Sequence, residues 1–379
     1  MSRARLRVGV PEVIRRYPPQ SSAGRIWRNG LEVVGRTATV VVDDPRRRLG
    51  RLRRRVDVWL TDGHQGPLDV RVPVVAHLHE ASWSVPELRP LFEPGFLEQY
   101  EAPSAAAAAA ASVVLTVSRS SAEQIVREYG VPEDRVVVAH NGVDHDVYRP
   151  GRPGAEALID AAGGDGRAPY VLFVSTLHPR KNLAALRGAM AELARRGLPH
   201  RLVLVAGPAP DRAEQAQLEA AATAPIPGTD APVVNLAGVD DASVAALMSG
   251  AAAFCLPSLM EGFGMAVAEA MACGAPVVVS DTGALPEVVG SAGVVCEPTV
   301  EALAEALHPV LTDPHVAARL RARSLARARD FSWSAMGARW CEALDLAVSA
   351  PARQEPLGRA RTRPVGGQRA AGSGEAMRG

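Results

Sequence analysis

The stretch "LPSLMEGFGMAVAEAMACGAPVVVSD" sets Glu261 just before a Gly-Phe-Gly turn and Glu269 eight positions on, beyond that turn. Leu256 and Pro257 end an apolar run, Gly262 and Gly264 let the backbone turn sharply and approach a ligand, and the residues from Met265 to Cys273 favour a helix that Gly274 stops. The order predicted is strand, glycine loop, helix, strand. Unpaired amides at such a helix start can face an anion such as a phosphate. Two acids flanking an anion site do not bind the anion; they suit hydroxyls, as a sugar and a ribose would offer. A second stretch, "YVLFVSTLHPRKNLAAL", supplies Arg180 and Lys181 between a strand and a helix. Arginine grips phosphate bidentately and lysine adds a point charge, so together they could hold a diphosphate without metal.

These residues need strands to hold them. Short β-branched runs alternate with helical patterns in "LRVGV", "ATVVV", "VDVWL", "VPVVAHLH" and "SVVLTVS". After the polar stretch "GRPGAEALIDAAGGDGRAP" the alternation restarts with "YVLFVS", "RLVLVAG", "VVNLAG", "AAFCLPS", "APVVVSD" and "AGVVCEP". Continuous apolar strands separated by helices imply parallel sheets covered on both faces, and two series imply an α/β chain of two Rossmann-like, doubly wound domains facing a cleft. The divisions expected are an N-terminal domain over 1–150, a linker region over 151–168, a second domain over 169–330, a C-terminal helix over 331–349 and a disordered tail over 350–379.

Bulk properties narrow the class. Nearly half of the 379 residues are apolar and the formal charge is +1, which gives no reason to expect nucleic acid as a partner. Cys255, Cys273, Cys296 and Cys341 lack metal-ligand spacing and read as buried thiols of a reducing compartment. No apolar run approaches the roughly 20 residues that span a bilayer, and no leader pattern opens the chain, so the expected location is cytoplasmic. The run "RRRLGRLRRR", from Arg46 to Arg55, reads either as a solvated loop or as a peripheral contact with anionic lipid at the cytosolic membrane face. Asp144, His145 and Asp146 have a D-x-D form, but its place after "NGV" argues against a metal, and none is expected. Asn141 in the same stretch is expected to shape a turn.

The pattern Glu261-GFGMAVA-Glu269, with "PRKN" upstream and "LAGVDDASVAALMSGAAAFCLPS" between, resembles the donor domain of retaining glycosyltransferases of family 4, of GT-B fold, in a mannosyltransferase-like subset carrying "PRKN". The likeness runs on through "MACGAPVVVSDTGALPEVVGSAGVVCEP" and "FSWSAMGARW". Earlier, "SSAGRIWRNGLEVVG", "VPVVAHLHEASW" and "VLTVSRSSAEQIVREYGVPEDRVVVAHNGVD" resemble the family's N-terminal segments more loosely.

The resemblance implies transfer of a hexose from a nucleotide-diphosphate sugar, GDP-mannose first and a UDP-sugar second, to a glycan or lipid-linked saccharide acceptor. It places Glu269 on the ribose, Glu261 on the hexose, and Gly262, Phe263, Gly264 and Met265 around the sugar. Many members have a glycine and an arginine where this chain has Ser175 and Thr176; with Thr176 at the donor, Arg180 and Lys181 are then left to carry the diphosphate. His79 is the implied neutral contact across the cleft, with His77 as the competing choice. The C-terminal helix would return to the first domain. Related folds leave open a sugar-nucleotide epimerase and a catalytically silent partner subunit. A dinucleotide-dependent oxidoreductase is disfavoured, because Val267 stands where the third glycine of G-x-G-x-x-G belongs.

Overall fold

The computed structural model describes residues 5–43, 56–207, 215–227 and 233–349. The arginine run 46–55 and the segment expected to be a disordered tail lie outside the described residues.

Two sheets divide the strands. The first contains β1 (Arg7–Pro11), β2 (Thr39–Asp43), β3 (Val58–Asp62), β4 (Val74–His77), β5 (Val113–Thr116) and β6 (Val136–Val138), in the order β2-β1-β3-β4-β5-β6. The second contains β7 (Tyr170–Thr176), β8 (Arg201–Gly207), β9 (Val234–Asn235), β10 (Ala253–Leu256), β11 (Val277–Ser280) and β12 (Val294–Cys296), in the order β12-β11-β10-β7-β8-β9. Every strand pair in both sheets is parallel. Strands β3, β5, β10 and β11 are buried along their whole length, as strands between two helical layers must be.

Both sheets reverse direction once. The chain adds β2 on one side of β1 and then β3 on the other; it adds β8 and β9 on one side of β7 and then β10 on the other. Loops leaving the carboxyl ends of strands at such a switch point diverge to opposite faces and open a crevice. In the second sheet those loops carry "LHPRKN", after β7, and "PSLMEGFG", after β10. The two motifs singled out in the sequence therefore meet at one crevice.

The C-terminal helix Trp333–Ser349 packs on the first sheet's side of the molecule. Its Met336, Trp340, Ala343, Leu344 and Ala347 join the core that holds β1, β3 and the helix Ser22–Thr37. Trp340 is fully buried, edge-on to Trp27 at 5.1 Å between ring centroids. Where the chain passes between the halves, Val143 bridges to Ser332, so outgoing and returning segments run side by side. The polar stretch expected as a linker carries a helix, Ala155–Ala161, and its Ile159 enters the second core.

Candidate active site

The cleft between the sheets has a volume of about 570 Å³ and is lined from both sides. After β7 the chain makes a tight turn over Pro179–Lys181, closed by the Lys181 amide donating to the His178 carbonyl at 2.8 Å and the Arg180 amide donating to His178 Nδ1 at 3.0 Å. Asn182 then takes a left-handed conformation, φ 54°, anchored by its side chain to the Pro298 carbonyl, and the helix Leu183–Arg195 begins. The Leu259 amide donates to the Arg180 carbonyl at 2.8 Å, which stitches this turn to the loop after β10.

That stitching assembles a charged cluster. Lys181 Nζ donates to Glu261 Oε1 at 2.6 Å, and Ser258 Oγ donates to the same oxygen at 2.7 Å. Arg180 Nη1 lies 3.8 Å from Glu261 Oε2 and donates to the Met260 carbonyl at 2.7 Å, while Nη2 lies 3.6 Å from Glu80 of the first domain's side. Burial by itself would raise the Glu261 carboxyl, but Lys181, Arg180 and the hydrogen bond from Ser258 outweigh it and hold the group below its ordinary range. Burial lowers the Lys181 ammonium, with Glu261 opposing. Glu261 does not cap the next helix; Gly264 does, at φ +90°, a conformation that side-chain-bearing residues rarely adopt.

Glu269 lies one turn into that helix, Met265–Ala272, and is only 4% exposed. Its partner comes from the first half of the chain. Arg25, in the first turn of the helix Ser22–Thr37, reaches across the cleft and places Nη1 2.8 Å from Glu269 Oε1 and 3.3 Å from the Tyr148 hydroxyl oxygen, with Asp241 at 3.9 Å. Burial pushes the Glu269 carboxyl up to about 7; Arg25 opposes this and Asp241 adds to it. Sequence reasoning missed Arg25. A cation in the first turn of a helix works against the helix dipole, and that oddity is the one signal the sequence holds for it.

The two histidines separate cleanly. His77 ends β4 with no exposure, its ring against Trp27 at 5.6 Å and Trp340 at 5.2 Å, and burial lowers its pKa well below the ordinary value. It is a core residue. His79 lines the cleft. Its amide donates to His64 Nε2 at 3.3 Å and its ring stacks on His64 at 5.8 Å. His64 is in turn fixed by Ser104 at 2.8 Å from Nδ1 and by the Asp62 carboxylate, which accepts its amide at 2.9 Å. Burial lowers His64 to about 4 and lowers His79 as well, so His79 faces the cleft as a neutral imidazole. Asp62, His64, Glu80 and Ser258 also support the site, and sequence reasoning missed them.

Gly262, Phe263, Gly264, Met265 and Thr176 also line the cleft. A Cβ at Gly262 would sit 2.9 Å from the His79 carbonyl and 3.1 Å from Glu80 Cβ, so only glycine lets the two sides meet there. The Ser121 hydroxyl donates to the Gly262 carbonyl at 3.1 Å. The Phe263 ring is packed against Phe331 at 5.4 Å, which leaves the Gly-Phe-Gly segment mainly backbone to offer. Asn141 lines the cleft too, buried. Asp144 spends its carboxylate on the amides of Asp146 and Val147, closing a turn, and among the described residues no group of three or more His, Cys, Asp or Glu could hold a metal ion. No described helix is long and apolar enough to cross a membrane.

Residues 156–329 match the family Glycosyl transferases group 1, and residues 38–147 match Glycosyltransferase Family 4. The chain belongs to the family 4 glycosyltransferases. It is thus a member of an enzyme family. It is 33% identical to O-antigen chain mannosyltransferase B of Escherichia coli over 59% of this chain and 58% of that protein. It is 30% identical to the GDP-mannose-dependent alpha-(1-6)-phosphatidylinositol monomannoside mannosyltransferase of Mycolicibacterium smegmatis over 84% of this chain and 85% of that protein. In three dimensions it resembles sucrose-phosphate synthase from Thermosynechococcus elongatus, with TM-score 0.70, 18% identity and coverage of 90% and 98% of the two chains. It also resembles HepE of Anabaena in complex with UDP and glucose, with TM-score 0.67, 20% identity and coverage of 90% and 99%. The architecture is therefore GT-B.

Proposed function

We propose that this family 4 glycosyltransferase moves a hexose from a nucleoside diphosphate sugar to a hydroxyl of a saccharide or lipid-linked saccharide, with retention at the anomeric carbon. The observation that carries the reading is the joint placement of Arg180, Lys181, Glu261 and the start of the helix Met265–Ala272 around one cleft. A leaving diphosphate gains charge as the glycosidic bond breaks. Arg180, Lys181 and the helix amides stabilise that charge more than they stabilise the ground state, and the difference is the catalysis.

Glu261, held ionised by Lys181 and Ser258, accepts from hexose hydroxyls, and Glu269 accepts from the ribose once Arg25 yields it. Thr176 and the Gly262, Phe263, Gly264 and Met265 backbone complete the donor seat. Neutral His79 can donate or accept without adding charge beside the breaking bond. No metal is part of this scheme; Arg180, Lys181 and the helix amides are the groups that face the diphosphate. GDP-mannose is the first donor candidate, on the likeness to GDP-mannose-dependent and other mannosyltransferases, and UDP-sugars are second.

The test is a thermal-shift panel of GDP, UDP, ADP, dTDP and their sugar conjugates, with and without EDTA. A metal-independent shift by one nucleotide family is expected, with GDP and GDP-mannose strongest. No shift with any of them would refute the donor site.

A further inference from the structure

We propose that Glu80 is the acceptor-side carboxylate of this cleft, taking a hydrogen bond from a hydroxyl of the incoming saccharide. The assignment rests on the transferase reading above and extends it to the second substrate.

A charge count leads to it. Among the described residues two cations, Arg180 and Lys181, face two carboxylates, Glu80 and Glu261. A nucleoside diphosphate sugar brings about two further negative charges, and its phosphates make better partners for the cations than carboxylates do. Both carboxylates must then find other donors, because a buried anion without a partner is costly. Glu261 already has the Ser258 hydroxyl and, in the reading above, gains the donor hexose. Glu80 has neither. Among the described residues its Oε2 is buried without a hydrogen-bond partner, and the ion-pair contact of its other oxygen is the 3.6 Å approach of Arg180.

Position decides which substrate supplies the missing donor. Glu80 stands on the loop after β4, on the first sheet's side of the cleft, opposite the loop that carries Glu261. A Cβ built at Gly262 would come within 3.3 Å of Glu80 Oε2, so the carboxylate lies at the rim of the expected hexose seat. A molecule entering from the first sheet's side toward the donor sugar meets Glu80 before it meets Glu261.

The experiment compares the unaltered chain with Glu80→Gln and Glu80→Asp, the second keeping the charge but shortening its reach. GDP and UDP affinities are measured by calorimetry. Nucleotide release from GDP-mannose and UDP-glucose is measured with methyl α-D-mannopyranoside, with methyl α-D-glucopyranoside, and with water alone as acceptor. Both variants should bind nucleotide within about threefold of the unaltered chain, yet with a sugar acceptor release it about 10- to 100-fold more slowly and with the acceptor KM raised, the slowing being smaller with water alone. Unchanged release with the sugar acceptors, a slowing as large with water alone, or a loss of nucleotide affinity as large as the loss of rate, would overturn the assignment. If the unaltered chain binds nucleotide but releases none from either donor, the transferase reading fails and the assignment falls with it.

Discussion

A carboxylate 4% exposed, with Arg25 2.8 Å away and a second acid near, makes Glu269 the most sensitive reporter in the cleft. Its folded pKa is raised from 4.5 to about 7, so between those values the native state holds a proton that the unfolded state has released. Stability contributed by this group is therefore present below about pH 4.5, is lost as pH rises toward 7, and is fully lost above it. Glu269→Gln removes the titration. Denaturant unfolding at pH 5 and pH 8 should show the unaltered chain losing stability relative to Glu269→Gln as pH rises, by on the order of 3 kcal/mol. An unchanged gap between the two proteins would mean that Arg25 keeps Glu269 ionised throughout.

At the scale of elements, the legible part of the sequence was local. The turn after β10 could be placed because strand, glycines and helix succeed one another within a dozen or so residues, and Gly264 does sit at φ +90° where the helix starts. The "PRKN" turn was legible for the same reason. Arg25, Glu80 and Ser258 were not, since their importance comes from partners on other strands and across the cleft, which no spacing encodes. The choice between His77 and His79 was likewise undecidable from period two, which puts both on one side of a strand. Tertiary packing decides it, because Trp340 arrives from the far end of the chain and seals His77 in. The returning helix should therefore be a major source of stability for the first half. Trp340→Ala should cost about 3–5 kcal/mol in urea unfolding. Leu346→Ala, on the same helix but 40% exposed, should cost under about 0.5 kcal/mol. Equal effects would contradict the docked position of this helix.

Taken whole, the molecule is two parallel sheets whose switch points face one cleft, joined by polar contacts around the site and by apolar ones beside it, where Leu259 and Met260 pack against Trp83, Leu88 and Phe92. Arg25 meets Glu269, Arg180 meets Glu80 and Ser121 meets Gly262. Glu287, from the second half, accepts the amides of Arg119 and Ser120 at the start of the helix Arg119–Tyr129, with His140 Nε2 at 2.6 Å. Several of these contacts use the side chains that would bind the donor, so ligand binding and the fit between the halves are coupled through the same groups. Occupation of this cleft by a nucleoside diphosphate held through Glu269 is the central claim. The most direct measurement is calorimetric titration of GDP and UDP, in EDTA, into the unaltered chain and into Glu269→Ala. One nucleotide is expected to bind the unaltered chain, and the variant is expected to bind it at least about tenfold more weakly. Equal affinity for the two proteins would contradict it.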